Sequence, residues 1–141
     1  MLHAMTSGHD GSLTTLHASG PRMALSRLEV LAMSADSNLV PQVVRQMVGS
    51  GVDLVAHLSN YQRGDDQVRR LGSLSFVAEN PEDPLGAPSV LDLCNYRVES
   101  DSWEWRPESL KYMPEKVRLK FQVAGIEPDR LVREVIEDGW A

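Results

Sequence analysis

The sequence has a single cysteine and no long apolar run, and each of these scarcities excludes a class of structure. Cys94 is the single cysteine among 141 residues, so no internal disulfide can form, and a reducing cytoplasm fits best. No stretch approaches the roughly 18 consecutive apolar residues of a membrane-spanning helix. A net charge of -6 disfavours nucleic acid and anionic membrane surfaces as direct partners. Histidine and cysteine also lack the local spacing of a zinc site, at His3, His9, His17, His57 and Cys94.

The composition is otherwise that of a folded soluble protein. Hydrophobic residues make up 42% and charged residues 24%, and the length suits one ordinary domain or part of a larger one. Prolines at helix starts, apolar spacing and alternating runs predict a defined order of elements. They are the tail of a helix over 1–7, a strand over 13–18, helices from Pro21 and Pro41, a hairpin over 52–76, a second hairpin over 90–105, a helix over 114–124 closed by Gly125, and a last helix from Pro128.

The loop from Gly8 to Ser12 is the first candidate for chemistry. Its two glycines, Gly8 and Gly11, permit backbone conformations that direct successive amide groups at one anion, and the hydroxyls of Ser12, Thr14 and Thr15 are further donors. A phosphate is the natural candidate ligand. On spacing alone, the alternative is a polar turn between a helix and a strand.

A longer pattern surrounds this loop. Gly-His-Asp-Gly-Ser-Leu-Thr-Thr-Leu-His-Ala, residues 8–18, is followed at once by Ser-Gly-Pro-Arg-Met-Ala-Leu-Ser-Arg-Leu-Glu, residues 19–29. This segment resembles the histidine box and following helix of the secretion ATPases, the hexameric motors of type II and type IV secretion and of Tad/Flp-type pilus assembly. The resemblance extends from Gly8 to about Val77 and is looser beyond. Ser19 and Met23 depart from the family's usual asparagine and acidic residue.

The resemblance implies roles for several side chains. In the family the box lies beside the γ-phosphate, which implies that His9 and His17 sense the nucleotide state and that Gly8, Gly11, Ser12, Thr14 and Thr15 lie at the cofactor. A histidine closing an apolar strand is also commonly a structural residue, and that alternative stays open for His17. Arginine is suited to neutralise a transferring phosphoryl group.

Arg27 is the preferred arginine because it stands between Leu25 and Leu28, where a charge turned inward would need a partner. For Arg22 a solvated helix face, or a pair with Glu29, is an equally good interpretation. Arg45 also resembles a family arginine, but the sequence assigns it no role.

The resemblance further implies a fold class, a C-terminal portion of a RecA-like P-loop ATPase core followed by a small α+β appendage. The expected division is a core half over 1–78, a linker over 79–88 and a small subdomain over 89–141. The phosphate-loop pattern Gly-x-x-x-x-Gly-Lys-Ser/Thr does not occur, and the lysines all lie in the last third. ATP and magnesium therefore belong to the intact motor, and we expect neither to bind tightly to this chain alone.

Two functions follow from these observations. The first is a C-terminal fragment of a motor that couples ATP hydrolysis to pilus assembly or secretion, with a homo-oligomer, a complementary half or a full-length ATPase subunit as partner, at the inner-membrane machinery. The second is a non-catalytic interaction module that docks on a full-length subunit. In the intact motor, parallel strands would flank the predicted strand over 13–18. Without them, we expect exposed apolar surface along 13–16 and on the Leu25/Leu28 face, and hence self-association.

Overall fold

The computed structural model describes residues 11–36, 38–80, 82–83, 85–130 and 134. The fold is mixed α and β, with one four-stranded antiparallel sheet in the strand order β1-β2-β3-β4. Within this described part, no helix is long and apolar enough to cross a membrane. The elements are helix α1 (Pro21–Ala35), helix α2 (Pro41–Gly51), strands β1 (Leu54–Arg63), β2 (Asp66–Ala78), β3 (Ser89–Arg97) and β4 (Ser102–Trp105), a 3-10 helix (Pro107–Tyr112) and helix α3 (Glu115–Val123).

The predicted helix starts are confirmed at both early prolines. Pro21 and Pro41 each occupy the first turn, where the missing N–H costs nothing because that donor has no partner inside the helix. The amide of Ala24 donates to the carbonyl of Gly20 at 2.9 Å, so the first turn closes without a side-chain cap. Sequence chemistry alone therefore fixes where α1 and α2 begin.

Both predicted hairpins are confirmed as well. Gly64 has φ +61° in the two-residue turn between β1 and β2, a conformation that glycine adopts without steric cost. Strands β3 and β4 pair in antiparallel register, with Tyr96 opposite Trp103 and Cys94 opposite Trp105. In the turn before β4, Asp101 has φ +50°, which is uncommon for a residue other than glycine.

Helix α3 ends as predicted, at a glycine. Gly125 has φ +75°, its amide donates to the carbonyl of Gln122 at 3.0 Å, and the amide of Ile126 donates to Phe121 at 2.9 Å. These two bonds define a Schellman motif, which satisfies carbonyls at the helix end. Residues 128–130 are helical, as predicted from Pro128. The predicted inner-face residues Leu131, Val132, Val135 and Ile136 lie outside the described residues.

The predicted strand over 13–18 is wrong. Residues 11–18 have no regular secondary structure, and the side chain of Leu13 is 97% exposed. A strand needs a neighbouring strand to receive its backbone hydrogen bonds. Among the described residues the sheet consists of β1 to β4, and none of these pairs with the segment. The predicted exposure of apolar surface along 13–16 is confirmed at Leu13, whereas the predicted helix over 1–7 lies outside the described residues.

The described residues form two compact units. The first comprises those of Met1–Val55 and Val77–Val90. Its core is formed by α1, α2 and the end of β2, and it buries Leu25, Leu28, Val44, Val48 and Val77. The prediction that the Leu25/Leu28 face is exposed is therefore wrong, because α2 covers it.

The second unit comprises the described residues of Ala56–Phe76 and Leu91–Ala141. Its buried core consists of Phe76, Leu93, Met113 and Val117, so α3 and the turn before it pack on the sheet. Cys94 is fully buried, and burial raises the pKa of its thiol. The predicted division with a linker at 79–88 stays a prediction.

Candidate functional site

The segment predicted to contact phosphate is exposed. Gly11 has φ +88° and open space around it, in agreement with the backbone freedom expected of a glycine there. Ser12, Thr14, Thr15 and His17 are all exposed, and no hydrogen bond among the described residues joins them to one another. The other predicted members, Gly8 and His9, lie outside the described residues.

The sequence interpretation placed the charge of Arg27 toward the core. In the structure, Arg27 is exposed instead. Successive residues of an α-helix are rotated by about 100°, so Leu25 and Leu28 share the buried face while Arg27 lies on another. Its side chain is exposed on α1, and Arg22 is exposed as well. Both guanidinium groups are therefore accessible from outside the first unit's core.

A different arginine forms the ion pair of this unit. Arg45 Nε on α2 lies 3.3 Å from Glu29 Oε2 on α1, and the Glu29 side chain is only 13% exposed. A pair between Arg22 and Glu29 was one of the alternatives from the sequence, and in the structure Glu29 pairs with Arg45 of the neighbouring helix. The pair joins the two helices at the edge of their shared core.

The predicted phosphate ligands that the structure describes lie on a stretch of chain without regular secondary structure. Ser12, Thr14 and Thr15 are exposed, and Gly11 has a positive φ. Within the described residues, no group of three or more histidine, cysteine, aspartate or glutamate side chains is placed to hold a metal ion.

The most extensive polar cluster lies in the second unit, around Asp101. The hydroxyl of Tyr96 donates to Asp101 Oδ1 at 2.5 Å, Arg63 donates to Oδ2, and Arg70 Nε lies 3.7 Å from Oδ1. The Tyr96 hydrogen bond, aided by Arg63, lowers the pKa of the Asp101 carboxyl, and the same bond raises the pKa of Tyr96. The Asp101 carboxylate is thus contacted by arginines of two strands and by a tyrosine of a third.

Aromatic rings extend from this cluster across the sheet. The ring centroids of Tyr61 and Tyr96 are 4.9 Å apart, and those of Tyr96 and Trp103 are 5.5 Å apart, both in tilted geometry. Trp103 also donates its indole N–H to the carbonyl of Leu71 at 2.8 Å. A Cβ at Gly72 would lie 2.6 Å from the Tyr61 hydroxyl, so this glycine lets Tyr61 cross β2.

A second arginine–carboxylate cluster surrounds Glu104 of β4. Arg97 pairs with Glu104, and Arg106 Nη2 lies 3.7 Å from the other oxygen of the same carboxylate. The sequence analysis identified neither cluster. The only local signal was the alternation of charged and aromatic residues along β4, since the Arg63–Asp101 pair joins residues 38 positions apart.

The described residues form a mixed α/β fold, and those of the predicted phosphate segment at Ser12, Thr14, Thr15 and His17 are exposed. No family model matches the chain. The chain is 33% identical over 64 residues to the conjugal transfer protein TrbB of Rhizobium radiobacter. The matched region covers 45% of this chain and 19% of TrbB. The chain thus spans about a fifth of the length of this relative. Over this matched part, the similarity supports a relation to secretion ATPases.

Proposed function

We propose that this chain is a component of a secretion or pilus-assembly motor and requires a nucleotide-binding partner for activity. The observation that carries the proposal is the partial similarity to the conjugal transfer protein TrbB. The histidine-containing segment, with its resemblance to motors of type IV secretion and Tad/Flp-type pili, supports it further. The motor would couple ATP hydrolysis to transport at the cytoplasmic side of the inner membrane.

The exposure of the predicted residues is consistent with a site completed by another polypeptide. His17 and Arg27 are exposed in the first unit, as are Ser12, Thr14 and Thr15. Under this proposal, the partner supplies the phosphate loop and the magnesium ligands, and these side chains approach the nucleotide on assembly. Gly8 and His9 belong to the same proposed site.

Thermal unfolding with and without millimolar Mg-ATP tests whether the chain alone binds the nucleotide. Tight binding to the folded chain must raise the unfolding midpoint by mass action. We expect no rise for the chain alone, and a clear rise, or ATP turnover by the purified chain, contradicts the proposal.

Reconstitution with the nucleotide-binding portion of TrbB tests whether a partner completes the proposed site. If the mixture hydrolyses ATP, Arg27→Ala and His17→Ala should each lower turnover by about 10² while nucleotide affinity changes little. Arg69→Ala, an exposed arginine of the second unit, is the matched control and should leave turnover unchanged. Equal turnover in all three variants would make His17 and Arg27 structural.

The non-catalytic interaction module is the second candidate, and one observation favours it. Leu25 and Leu28 are buried against Val44 and Val48, so α1 and α2 close a core without a further polypeptide. A module of this kind should be monomeric by light scattering and co-purify with TrbB without changing its ATP turnover. A chain that aggregates alone but becomes soluble with the nucleotide-binding portion favours the motor component instead.

A further inference from the structure

Helix α1 carries apolar side chains on two faces. Leu25 and Leu28 are buried against α2. On the other side of the helix, Met23 is 57% exposed, Val30 is 57% exposed and Leu31 is 50% exposed. A helix that packs on a core with one face only is usually polar on the other, whereas apolar residues on both faces are typical of a helix that is covered on both. The second face of α1 is therefore a candidate contact surface.

The exposed side chains form one stripe with an arginine at its centre. We use "outer α1 stripe" for Met23, Arg27, Val30 and Leu31, which stand at positions i, i+4, i+7 and i+8 of the helix. At about 100° of rotation per residue, they fall within an arc of about 100° that faces away from the buried leucines. This is the anchor spacing of a helix that lies in a groove of a partner protein.

Arg27 is the only charge of the outer α1 stripe, and it has no ionic partner among the described residues. Glu29 of the same helix pairs with Arg45 of α2 at 3.3 Å. Asp36, the C-cap residue, accepts a backbone hydrogen bond at 3.0 Å. Arg22 lies about 140° from Arg27 around the helix. A partner that buries the stripe must therefore place an anion opposite Arg27, because a buried charge without a counter-charge is strongly unfavourable.

This charge selects among the possible occupants. A second copy related by two-fold symmetry would bring the stripe against itself, so that the two Arg27 side chains would meet near the axis. Like charges in contact oppose such a dimer. A nucleotide-binding subunit offers the required anion in the phosphates of its bound nucleotide, which guanidinium groups pair with well. The predicted phosphate segment, with Thr14 and His17, also leads directly into α1.

We propose that the outer α1 stripe docks on the nucleotide-binding subunit of the motor, with Met23, Val30 and Leu31 in an apolar groove and Arg27 opposite the phosphates. The inference rests on the proposed function for the identity of that subunit. It adds the surface that makes the contact. The apolar side chains hold the subunit, and Arg27 determines the charge that the subunit must offer at the centre of the contact.

Biolayer interferometry between the full chain and full-length TrbB, loaded with magnesium and a non-hydrolysable ATP analogue, tests the docking. Met23→Ala and Leu31→Ala should each weaken binding about fivefold or more, as expected for apolar anchors. Alanine is the best helix former, so both exposed positions keep their helix. Leu119→Ala is the matched control, because Leu119 is also a helical leucine with 50% exposure, on α3. Wild-type affinity in both stripe variants, or an equal loss in Leu119→Ala, overturns the proposal.

Charge reversal tests the position of Arg27. Arg27→Glu should weaken binding to nucleotide-loaded TrbB at least about tenfold, because two negative groups then face each other. Arg69→Glu, at an exposed position of the second unit, is the control and should change binding by less than about twofold. Unchanged binding by Arg27→Glu overturns the proposal.

Two further outcomes separate this inference from the proposed function. Absence of wild-type binding to TrbB overturns the inference together with the partner named in the proposed function, whereas binding that the stripe variants retain overturns the inference alone. Sedimentation velocity of the chain by itself tests the second copy as occupant. A concentration-dependent dimer that Leu31→Ala disrupts overturns the proposal.

Discussion

The hydroxyl of Tyr96 donates a 2.5 Å hydrogen bond to the carboxylate of Asp101, five residues further along the chain. The bond closes the turn between β3 and β4, and Arg63 and Arg70 bring the first hairpin to the same carboxylate. The left-handed backbone of Asp101 is therefore held by two side-chain hydrogen bonds, from Tyr96 and Arg63, and by the ion pair with Arg70.

Asp101→Asn should remove part of the acid sensitivity of folding. The pKa of Asp101 is lower in the folded chain than its ordinary value of about 3.9, so its stabilising contribution is present above that value and lost as pH falls through the folded pKa. The unfolding midpoint of the wild type should fall more steeply than that of Asp101→Asn below about pH 4. Asp66→Asn, at an exposed position, is the control. Identical acid profiles for wild type and Asp101→Asn would contradict the assignment.

The same hydrogen bond acts in the opposite direction at high pH. Because it raises the pKa of Tyr96, the contribution of the protonated phenol is present below about pH 10 and lost as pH rises through the folded pKa. Ultraviolet titration at the tyrosinate band should show one tyrosine that ionises late. Tyr96→Phe should remove that late step, and its persistence would assign it to another tyrosine.

Gly72→Ala should destabilise the second unit by about 1–3 kcal/mol. The added methyl group would lie 2.6 Å from the hydroxyl of Tyr61, whose ring is held against Tyr96. Tyr61→Phe removes that hydroxyl, so the cost of Gly72→Ala should be smaller in the Tyr61→Phe background. A double-mutant cycle from urea unfolding measures the difference, and additive costs would show that the hydroxyl is not the obstacle.

Leu28→Ala should cost about 2–5 kcal/mol of stability, because it leaves a cavity between α1 and α2. The matched control is Leu31→Ala on the same helix, where the side chain is 50% exposed and the cost should stay within about 0.5 kcal/mol. Denaturant unfolding followed by circular dichroism gives both values. Similar costs at the two positions would mean that the helix pair is not the core of the first unit.

Gly125→Ala should cost about 1 kcal/mol, since alanine is disfavoured at the φ of +75° that closes α3. The space around Gly125 is open, so backbone strain alone contributes. Gly125→Asn should cost less, because asparagine tolerates the left-handed region better. Thermal melts of the two variants give this order, and a reversed order would exclude backbone strain as the cause.

Local signals predicted most of the secondary structure. Pro21 and Pro41 begin helices, Gly125 ends one, and alternation delimits two hairpins, because each of these features acts within a few residues. The strand over 13–18 had equally good local chemistry, but a strand also depends on a neighbour that local chemistry does not specify.

The candidate site was less predictable, for two reasons. Arg27 is next to Leu28 in sequence, but helical rotation separates their side chains, so an inward charge was inferred where the structure has an exposed one. The Asp101 cluster depends on the pairing of distant strands. No local pattern indicates which two arginines among eleven share one carboxylate.

Because Cys94 is buried, the alkylation rate of the only thiol in the sequence reports strand separation. A thiol reagent can reach this sulfur only when β3 parts from its surroundings, and the raised pKa further slows reaction in the closed state. The alkylation rate therefore reports how often the centre of the sheet opens. Conditions that stabilise the sheet should therefore lower the alkylation rate, whether or not they act near the sulfur.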